Sequence, residues 1–244
     1  MKIGYSTLLD ARISVAEQSS LLSVSECIDW APTVTNPKWD LLDERGQATL
    51  AISKPISALQ SLFFGVEDAT FLGDDKQFNI MLHHFEKLIL IAKAYNVKYV
   101  LWGSPGTRTF TKDLPESAIE QRFKMILSLF EGTEIKLMVE AVSNRFGCEF
   151  ISTTAQLLTF NKRMAHENLG LHLDTGQMLD EGLDVNHAVL FYFAVSRHLG
   201  KTLSWYSQPI FIALVTRKEQ QCIVVFNQCT TRINSVRVVI LVWV

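Results

Sequence analysis

Acidic residues are almost missing from the end of the chain, and this shortage divides the sequence into two parts. Residues 1–184 hold 24 acids and 17 basic residues, a formal charge of −7, whereas the last 60 residues hold six basic residues and one acid, Glu219. The same 60 residues are rich in valine, isoleucine, phenylalanine and tryptophan, in β-prone runs such as 236–244. This break in composition indicates that the C-terminal part does not continue the domain before it.

Other missing features exclude whole classes of protein. The four cysteines have no C-x-x-C spacing and no disulfide-rich context, which favours a reduced, cytoplasmic compartment. A formal net charge of −2 gives no basic field for nucleic acid or an anionic membrane. No apolar run approaches the roughly 18 residues of a membrane span, and the N-terminus lacks the apolar stretch of a signal peptide. We therefore expect a cytoplasmic protein that binds neither nucleic acid nor membrane.

Short apolar runs alternate with amphipathic segments up to about residue 190. Runs that could be buried strands begin near Lys2, Ile28, Ile56, Val97, Ile135 and Asn168. The segments between them have the three- and four-residue spacing of amphipathic helices. Six such units predict a parallel α/β sheet, either open and doubly wound or closed as a (β/α)8 barrel. The first strand lacks the glycine-rich turn of a nucleotide-binding sheet, so the TIM-barrel type is favoured.

The predicted barrel is incomplete. The six units take roughly 33 residues each, and eight of them would need somewhat more than this chain holds, because the fold typically takes about 250 residues. We expect a TIM-barrel-like domain over residues 1–198 and an atypical, acid-poor segment over residues 199–244. That segment lacks helix caps and amphipathic periods, so it should form irregular or edge-exposed strands and not two closing β-α units.

Two acids, Glu140 and Asp174, each end a short apolar run. Burying a carboxylate costs several kcal/mol unless it is compensated, so hydrophobic strands seldom end this way by accident. The C-terminal ends of neighbouring parallel strands converge on one face of a barrel, where α/β folds place their chemistry. The pair therefore predicts a divalent-metal or acid/base site, and a salt bridge or a helix N-cap at each loop is the structural alternative.

Six segments follow one another in a familiar order. They are the first strand, an acid before Ala-Pro-Thr, a strand with glutamine at its mouth, a Gly-Ser-Pro-Gly turn, and the two acid-ended strands: 2–7, 28–33, 56–65, 102–108, 135–140 and 168–174. Together they resemble the xylose isomerase-like TIM barrels, the sugar phosphate isomerase/epimerase group that also includes endonuclease IV. The resemblance covers about residues 1–198. It implies an isomerase or epimerase that acts on a small sugar or sugar phosphate.

The resemblance also implies a divalent metal ion, Mn, Mg, Co or Zn, held by a Glu, an Asp, a seventh-strand His and an eighth-strand Glu. Glu140 and Asp174 match the first two ligands and would carry the catalysis. However, Gln177 stands where many members have histidine, and nothing after His198 matches the last two ligands. A frameshift near His198 or natural divergence would explain this departure. We therefore expect metal binding that is weak or absent, with little or no turnover.

Four further residues are candidates for binding the substrate. Gln60 could hydrogen-bond a sugar hydroxyl, and Asp29 could supply a further acid. Arg108 follows the Gly-Ser-Pro-Gly turn, where a guanidinium would suit a phosphate or carboxylate. His172 should face the same side of its strand as Asp174, by strand alternation. Each residue has a structural alternative, from a satisfied strand-end amide to a solvated loop arginine or a packed interior histidine.

Two other functions stay open. One is a relic, meaning a folded protein that binds a sugar but has lost half of its metal ligands. The other is metal-assisted phosphodiester hydrolysis of the endonuclease IV kind, which expects several histidines and a basic groove. Gln177 and the net charge of −2 speak against that second function. The sequence does not indicate the oligomeric state.

Overall fold

An eight-stranded sheet organises the molecule, with its strands in the order of the chain. The computed structural model describes residues 4–9, 22–23, 25–34, 36–183, 210–216 and 221–227. The strands are β1 (Gly4–Ser6), β2 (Cys27–Trp30), β3 (Ile56–Leu59), β4 (Tyr99–Trp102), β5 (Lys136–Glu140), β6 (Leu169–Asp174), β7 (Ile210–Thr216) and β8 (Gln221–Asn227). Neighbours from β1 to β7 pair in parallel, and β8 is antiparallel to β7.

Helices follow the strands as the periodicity predicts. They are α1 (Asp75–Ala94) after β3, α2 (Glu116–Ser128) after β4, α3 (Thr154–Met164) after β5 and α4 (Thr175–Asp180) after β6. Short 3-10 turns follow β1, β2, β4 and β5, at Thr7–Leu9, Pro32–Val34, Pro105–Arg108 and Asn144–Phe146. This alternation confirms the predicted parallel α/β sheet and its partial TIM-barrel form. In the described residues, no helix is long and apolar enough to cross a membrane.

The last two strands form a hairpin. β7 continues the parallel sheet, with Ile210 opposite Leu171 and Ala213 opposite Asp174. The next strand, β8, begins after only four residues, 217–220, which is too short for a crossover helix, so it returns antiparallel. We expected irregular or edge-exposed strands here; β7 and β8 pair in regular register, and β8 lies at the edge of the sheet. Within residues 210–227 there are thus no two closing β-α units.

The barrel stays open in the described part of the chain, since β8 has β7 as its only strand neighbour there. An edge strand leaves one row of backbone N–H and C=O groups without a partner strand. The proposed domain boundary at residue 198 and the rest of the atypical segment lie outside the described residues.

An aromatic cluster packs between β4 and the helices α1 and α2. The ring of Trp102, at the end of β4, lies 5.4 Å from the ring of Phe71 and stacks 6.1 Å from that of Phe123 in α2. Phe85 of α1 completes the cluster, 5.8 Å from Trp102. All four side chains are fully buried. Because Trp102 is followed directly by the loop that begins at Gly103, the cluster fixes the position of that loop.

We expect Phe123→Ala to lower the free energy of unfolding by about 3–5 kcal/mol, because it removes a buried ring and leaves a cavity beside the other three. Met125→Ala is the matched control on the same helix, since Met125 is 43% exposed. It should change that free energy by less than about 0.5 kcal/mol. Urea unfolding followed by circular dichroism measures both variants. Equal effects would show that the cluster does not stabilise this side of the sheet.

Candidate functional site

A cavity of about 630 Å³ opens where β1, β3, β4, β5 and β6 end. Its lining includes residues at or just after these strand ends: Ser6, Gln60, Gly103, Glu140, His172 and Asp174. In a parallel α/β fold this is the face on which loops and side chains converge on a ligand. The two predicted acids therefore line the same cavity.

Glu140 and His172 form a buried ion pair on adjacent strands. The residues are paired across β5 and β6, and Nδ1 of His172 lies 3.0 Å from Oε2 of Glu140. Their side chains are only 18% and 7% exposed. Burial opposes ionisation of Glu140, but the charge and the hydrogen bond of His172 outweigh it, so the pKa of Glu140 is lowered. Burial likewise disfavours the charged imidazole, but Glu140 outweighs it and raises the pKa of His172.

Asp174 has two roles in this geometry. Its Oδ1 accepts hydrogen bonds from the backbone N–H groups of Gly176, at 2.6 Å, and Gln177, at 3.1 Å, so it is the N-cap of α4. Burial and then the negative charge of Glu140 raise the pKa of Asp174 to about 6, although His172 and the two N–H groups oppose the rise. Hydrogen bonding to Asp174 also contributes to the lowered pKa of Glu140. The two carboxyl groups thus lie close enough to influence each other's ionisation.

Gly103 makes the space that the Glu140 carboxylate occupies. A Cβ added at Gly103 would collide with Oε2 of Glu140. Sequence reasoning did not assign this glycine a role, and its only signal was its place directly after a buried strand. Any side chain there would force the Glu140 carboxylate away from its present position.

Asp29 lies near the cavity but does not line it, and its side chain is fully buried. The hydroxyl of Ser57 donates to Oδ1 of Asp29, while Oδ2 has no hydrogen-bond partner. Burial raises the pKa of Asp29 to about 7, against the opposing effects of Ser57 and of the His172 charge. Asp29 therefore does not reach the cavity in this geometry. Its effect on a substrate would pass through its electrostatic effect on His172.

Gln60 lines the cavity as expected of a substrate-binding residue. Its amide nitrogen donates to Oγ of Ser6 at 2.6 Å and to the backbone oxygen of Asp29 at 2.9 Å. These bonds hold the side chain across the ends of β1 and β2, with the amide group fixed at the cavity wall. A role in binding a sugar hydroxyl stays a prediction.

Arg108 is not where a substrate phosphate could reach it, which corrects the expected role. Its side chain is fully buried and does not line the cavity. Nη1 donates to the backbone oxygens of Glu140, at 2.7 Å, and Phe150, at 3.3 Å, and the guanidinium lies 5.6 Å from the Trp102 ring centre. Burial lowers the pKa of Arg108. The short 3-10 turn that carries it directs the side chain inward, where it holds the end of β5.

Gln177, the residue that departs from the Asp-Thr-Gly-His pattern, ties two loops together. Its Oε1 accepts from the backbone N–H of Ser143 at 2.6 Å, and its Nε2 donates to Oε1 of Glu181 at 2.8 Å. These bonds connect the loop after β5 with α4. The glutamine therefore acts as a scaffold residue beside Asp174 and is not part of the cavity lining.

The metal ligands expected from the resemblance are only partly represented. Over the described residues, no group of three or more His, Cys, Asp and Glu side chains is arranged to hold a metal ion. Glu140 and Asp174 remain the pair whose oxygens face one cavity and lie close together. Oxygen donors of this kind suit a hard divalent cation, and their service as ligands stays a prediction.

The strand order and the cavity at the strand ends define a partial TIM barrel. Residues 48–202 match the family described as xylose isomerase-like TIM barrel, and the chain belongs to this family. This confirms the resemblance found in the sequence. No curated protein matches the chain by sequence.

Several solved structures share the fold. A D-psicose 3-epimerase in the presence of D-fructose is 15% identical, with a TM-score of 0.57, covering 83% of this chain and 71% of that one. An L-ribulose 3-epimerase is 19% identical, with a TM-score of 0.56, covering 83% and 67%. The IolI protein with a binding zinc atom is 15% identical, with a TM-score of 0.51, covering 76% and 67%. At this identity the likeness shows the fold.

We expect Gly103→Ala to lower the free energy of unfolding by about 1–3 kcal/mol, because the new methyl group overpacks the Glu140 carboxylate. Gly106→Ala is the control in the same loop, since a Cβ there meets nothing within 4 Å. It should change the stability by less than about 0.5 kcal/mol. Chemical unfolding measures both variants. If Gly103→Ala is as stable as the control, the position of the Glu140 carboxylate does not depend on the absence of a side chain at residue 103.

We expect the stability of the protein to fall as the pH rises from about 4 to about 7, partly because of Asp29. The unfolded carboxyl ionises near its ordinary pKa of 3.8, whereas folded Asp29 keeps its proton until about pH 7. In that window the folded state binds more protons, so raising the pH favours unfolding. Asp29→Asn should make the slope shallower by up to about 1.4 kcal/mol per pH unit. Urea titrations at several pH values test this, and an unchanged slope contradicts it.

Proposed function

We propose that this chain binds a small sugar in the cavity and acts as a metal-dependent sugar isomerase or epimerase of reduced capacity. The observation that carries the proposal is the convergence of Glu140 and Asp174, from adjacent strand ends, on one cavity. The family match and the epimerase fold of the neighbouring structures agree with it. A cytoplasmic location without nucleic acid or membrane partners belongs to the same proposal.

Glu140 is suited to abstract a proton from a sugar carbon beside a carbonyl group. The lowered pKa keeps its carboxylate ionised at neutral pH, and the hydrogen bond to His172 fixes its direction. A positioned carboxylate can act as a general base in such a step. Asp174 lies next to it and could hold a substrate hydroxyl. The two N–H groups of Gln60 are already bonded, so its amide oxygen is the group that could accept a bond from a sugar hydroxyl.

A divalent ion fits Glu140 and Asp174 only in part. Their oxygens are the donors that Mn²⁺ or Mg²⁺ prefers, but a hard cation takes about six ligands, and two carboxylates alone make a weak site. The sequence matches neither the seventh-strand His nor the eighth-strand Glu of the family. When bound, the ion would polarise a sugar oxygen. We therefore expect a site with much lower affinity than a complete one.

A non-catalytic relic that binds sugar is the second candidate function. The observation that favours it is the set of protein partners that both carboxylates already have. Glu140 bonds to His172, and Asp174 caps α4, so the site holds its shape through protein contacts. The phosphodiesterase alternative gains no support, because Asp68, Glu140 and Asp174 bring negative charge to the cavity and would repel a nucleic-acid backbone.

Calorimetric titration with Mn²⁺ tests the metal site. We expect weak binding that Glu140→Gln abolishes, since this change removes one of the two charged ligands. Glu167→Gln is the matched control, because Glu167 is exposed and precedes β6 at the opposite end of the sheet. It should leave the titration unchanged. Turnover of ketohexoses with saturating Mn²⁺ then separates a slow epimerase from a relic.

Tight, stoichiometric Mn²⁺ binding that Glu140→Gln abolishes would contradict the reduced site and mean that further residues complete it. Mn²⁺ binding that is equal in Glu140→Gln and the wild type would contradict the assignment of Glu140 as a ligand.

A further inference from the structure

Part of the cavity wall is apolar. It is formed by Leu8, Phe63, Phe64, Val66, Ala69 and Pro105. Most of this wall comes from the loop that follows β3, which also carries Gln60. The cavity thus offers both hydrogen-bonding groups and hydrocarbon surface to a ligand. A sugar has the same two kinds of surface, since its hydroxyls alternate with patches of C–H groups.

Phe64 is the part of this wall that the proposed catalysis does not explain. Its side chain is 68% exposed, more than any other large hydrophobic residue in the described part of the chain. Exposing an aromatic ring to water is unfavourable, although single phenylalanines on a protein surface are common. Phe64, however, lines the cavity, where a ligand that enters can cover its ring.

The backbone beneath Phe64 is held in place by several contacts. The indole Nε1 of the buried Trp39 donates to the backbone oxygen of Phe64 at 3.1 Å. The backbone N–H of Phe64 donates to the backbone oxygen of Ser61 at 3.1 Å. Gly65 follows with a φ of +74°, and a Cβ on it would lie 3.1 Å from the backbone oxygen of Pro37. The loop therefore presents the Phe64 ring from a fixed position, which lowers the entropy lost when a ligand packs on it.

We propose that Phe64 is a specificity-determining residue whose ring packs on the C–H face of an uncharged sugar while the sugar hydroxyls contact the polar groups of the cavity. This inference rests on the proposed function and narrows its substrate class. A phosphorylated sugar fits poorly, because Asp68, Glu140 and Asp174 would repel it. Arg108, the residue expected to neutralise a phosphate, is buried behind β5 and bonded to backbone oxygens.

Isothermal calorimetry tests the inference with D-fructose, D-psicose, L-ribulose and D-fructose 6-phosphate as probes, each with and without Mn²⁺. The wild-type chain should bind at least one uncharged sugar and should bind the phosphate ester more weakly. Phe64→Ala should weaken sugar binding about 10-fold, and Phe64→Leu should weaken it less, because leucine keeps apolar contact but loses the flat ring. Phe146→Ala is the control, since Phe146 is 57% exposed and does not line the cavity.

The outcomes separate the two proposals. Sugar binding that is unchanged in Phe64→Ala would overturn the role of Phe64 while leaving the proposed function intact. Equal binding of D-fructose and its 6-phosphate would overturn the uncharged substrate class. If the folded wild-type chain binds none of the sugars, the proposed function fails and the inference fails with it. Circular dichroism of each variant verifies that it is folded, which the exposure of Phe64 leads us to expect.

Discussion

The buried contact between Glu140 and His172 is the interaction on which the site depends. A carboxylate and an imidazole at the ends of neighbouring strands would each be costly to bury alone, and together they compensate one another at 3.0 Å. Two further features serve this pair: the opening at Gly103 and the bond from Arg108 to the Glu140 backbone oxygen. The pair thus connects the barrel interior with the cavity.

Support for the site extends into the core of the molecule. Arg108 lies over Trp102, and Trp102 belongs to the aromatic cluster with Phe71 and Phe123. The geometry around Glu140 is therefore set partly by packing more than one residue layer away from the cavity. A scaffold of this kind can keep catalytic side chains oriented without a bound ligand. It also explains how the cavity keeps its shape through contacts within the protein.

Much of the architecture could be predicted from the sequence, because strand and helix periods are local properties of the chain. The strand ends at Glu140 and Asp174 were visible for the same reason. Arg108 could not be placed, since an arginine after a turn can point outward or inward and only the packing on Trp102 decides. The pairing direction of β7 and β8 and the clash at Gly103 also depend on residues far apart in sequence. Phe64 could not be singled out, because a hydrophobic run does not show which of its side chains are exposed.

The central claim is that the Glu140–His172 pair belongs to a sugar-binding cavity. The most direct measurement is the ¹⁵N resonance of the His172 ring, recorded by NMR during titration with an uncharged ketohexose. We expect the sugar to shift the His172 signal in a saturable manner. The signal of His166, which lies outside the cavity lining near Glu131, should stay unchanged. If the His172 signal of the folded protein does not move at any sugar concentration, the Glu140–His172 pair does not belong to a sugar-binding cavity.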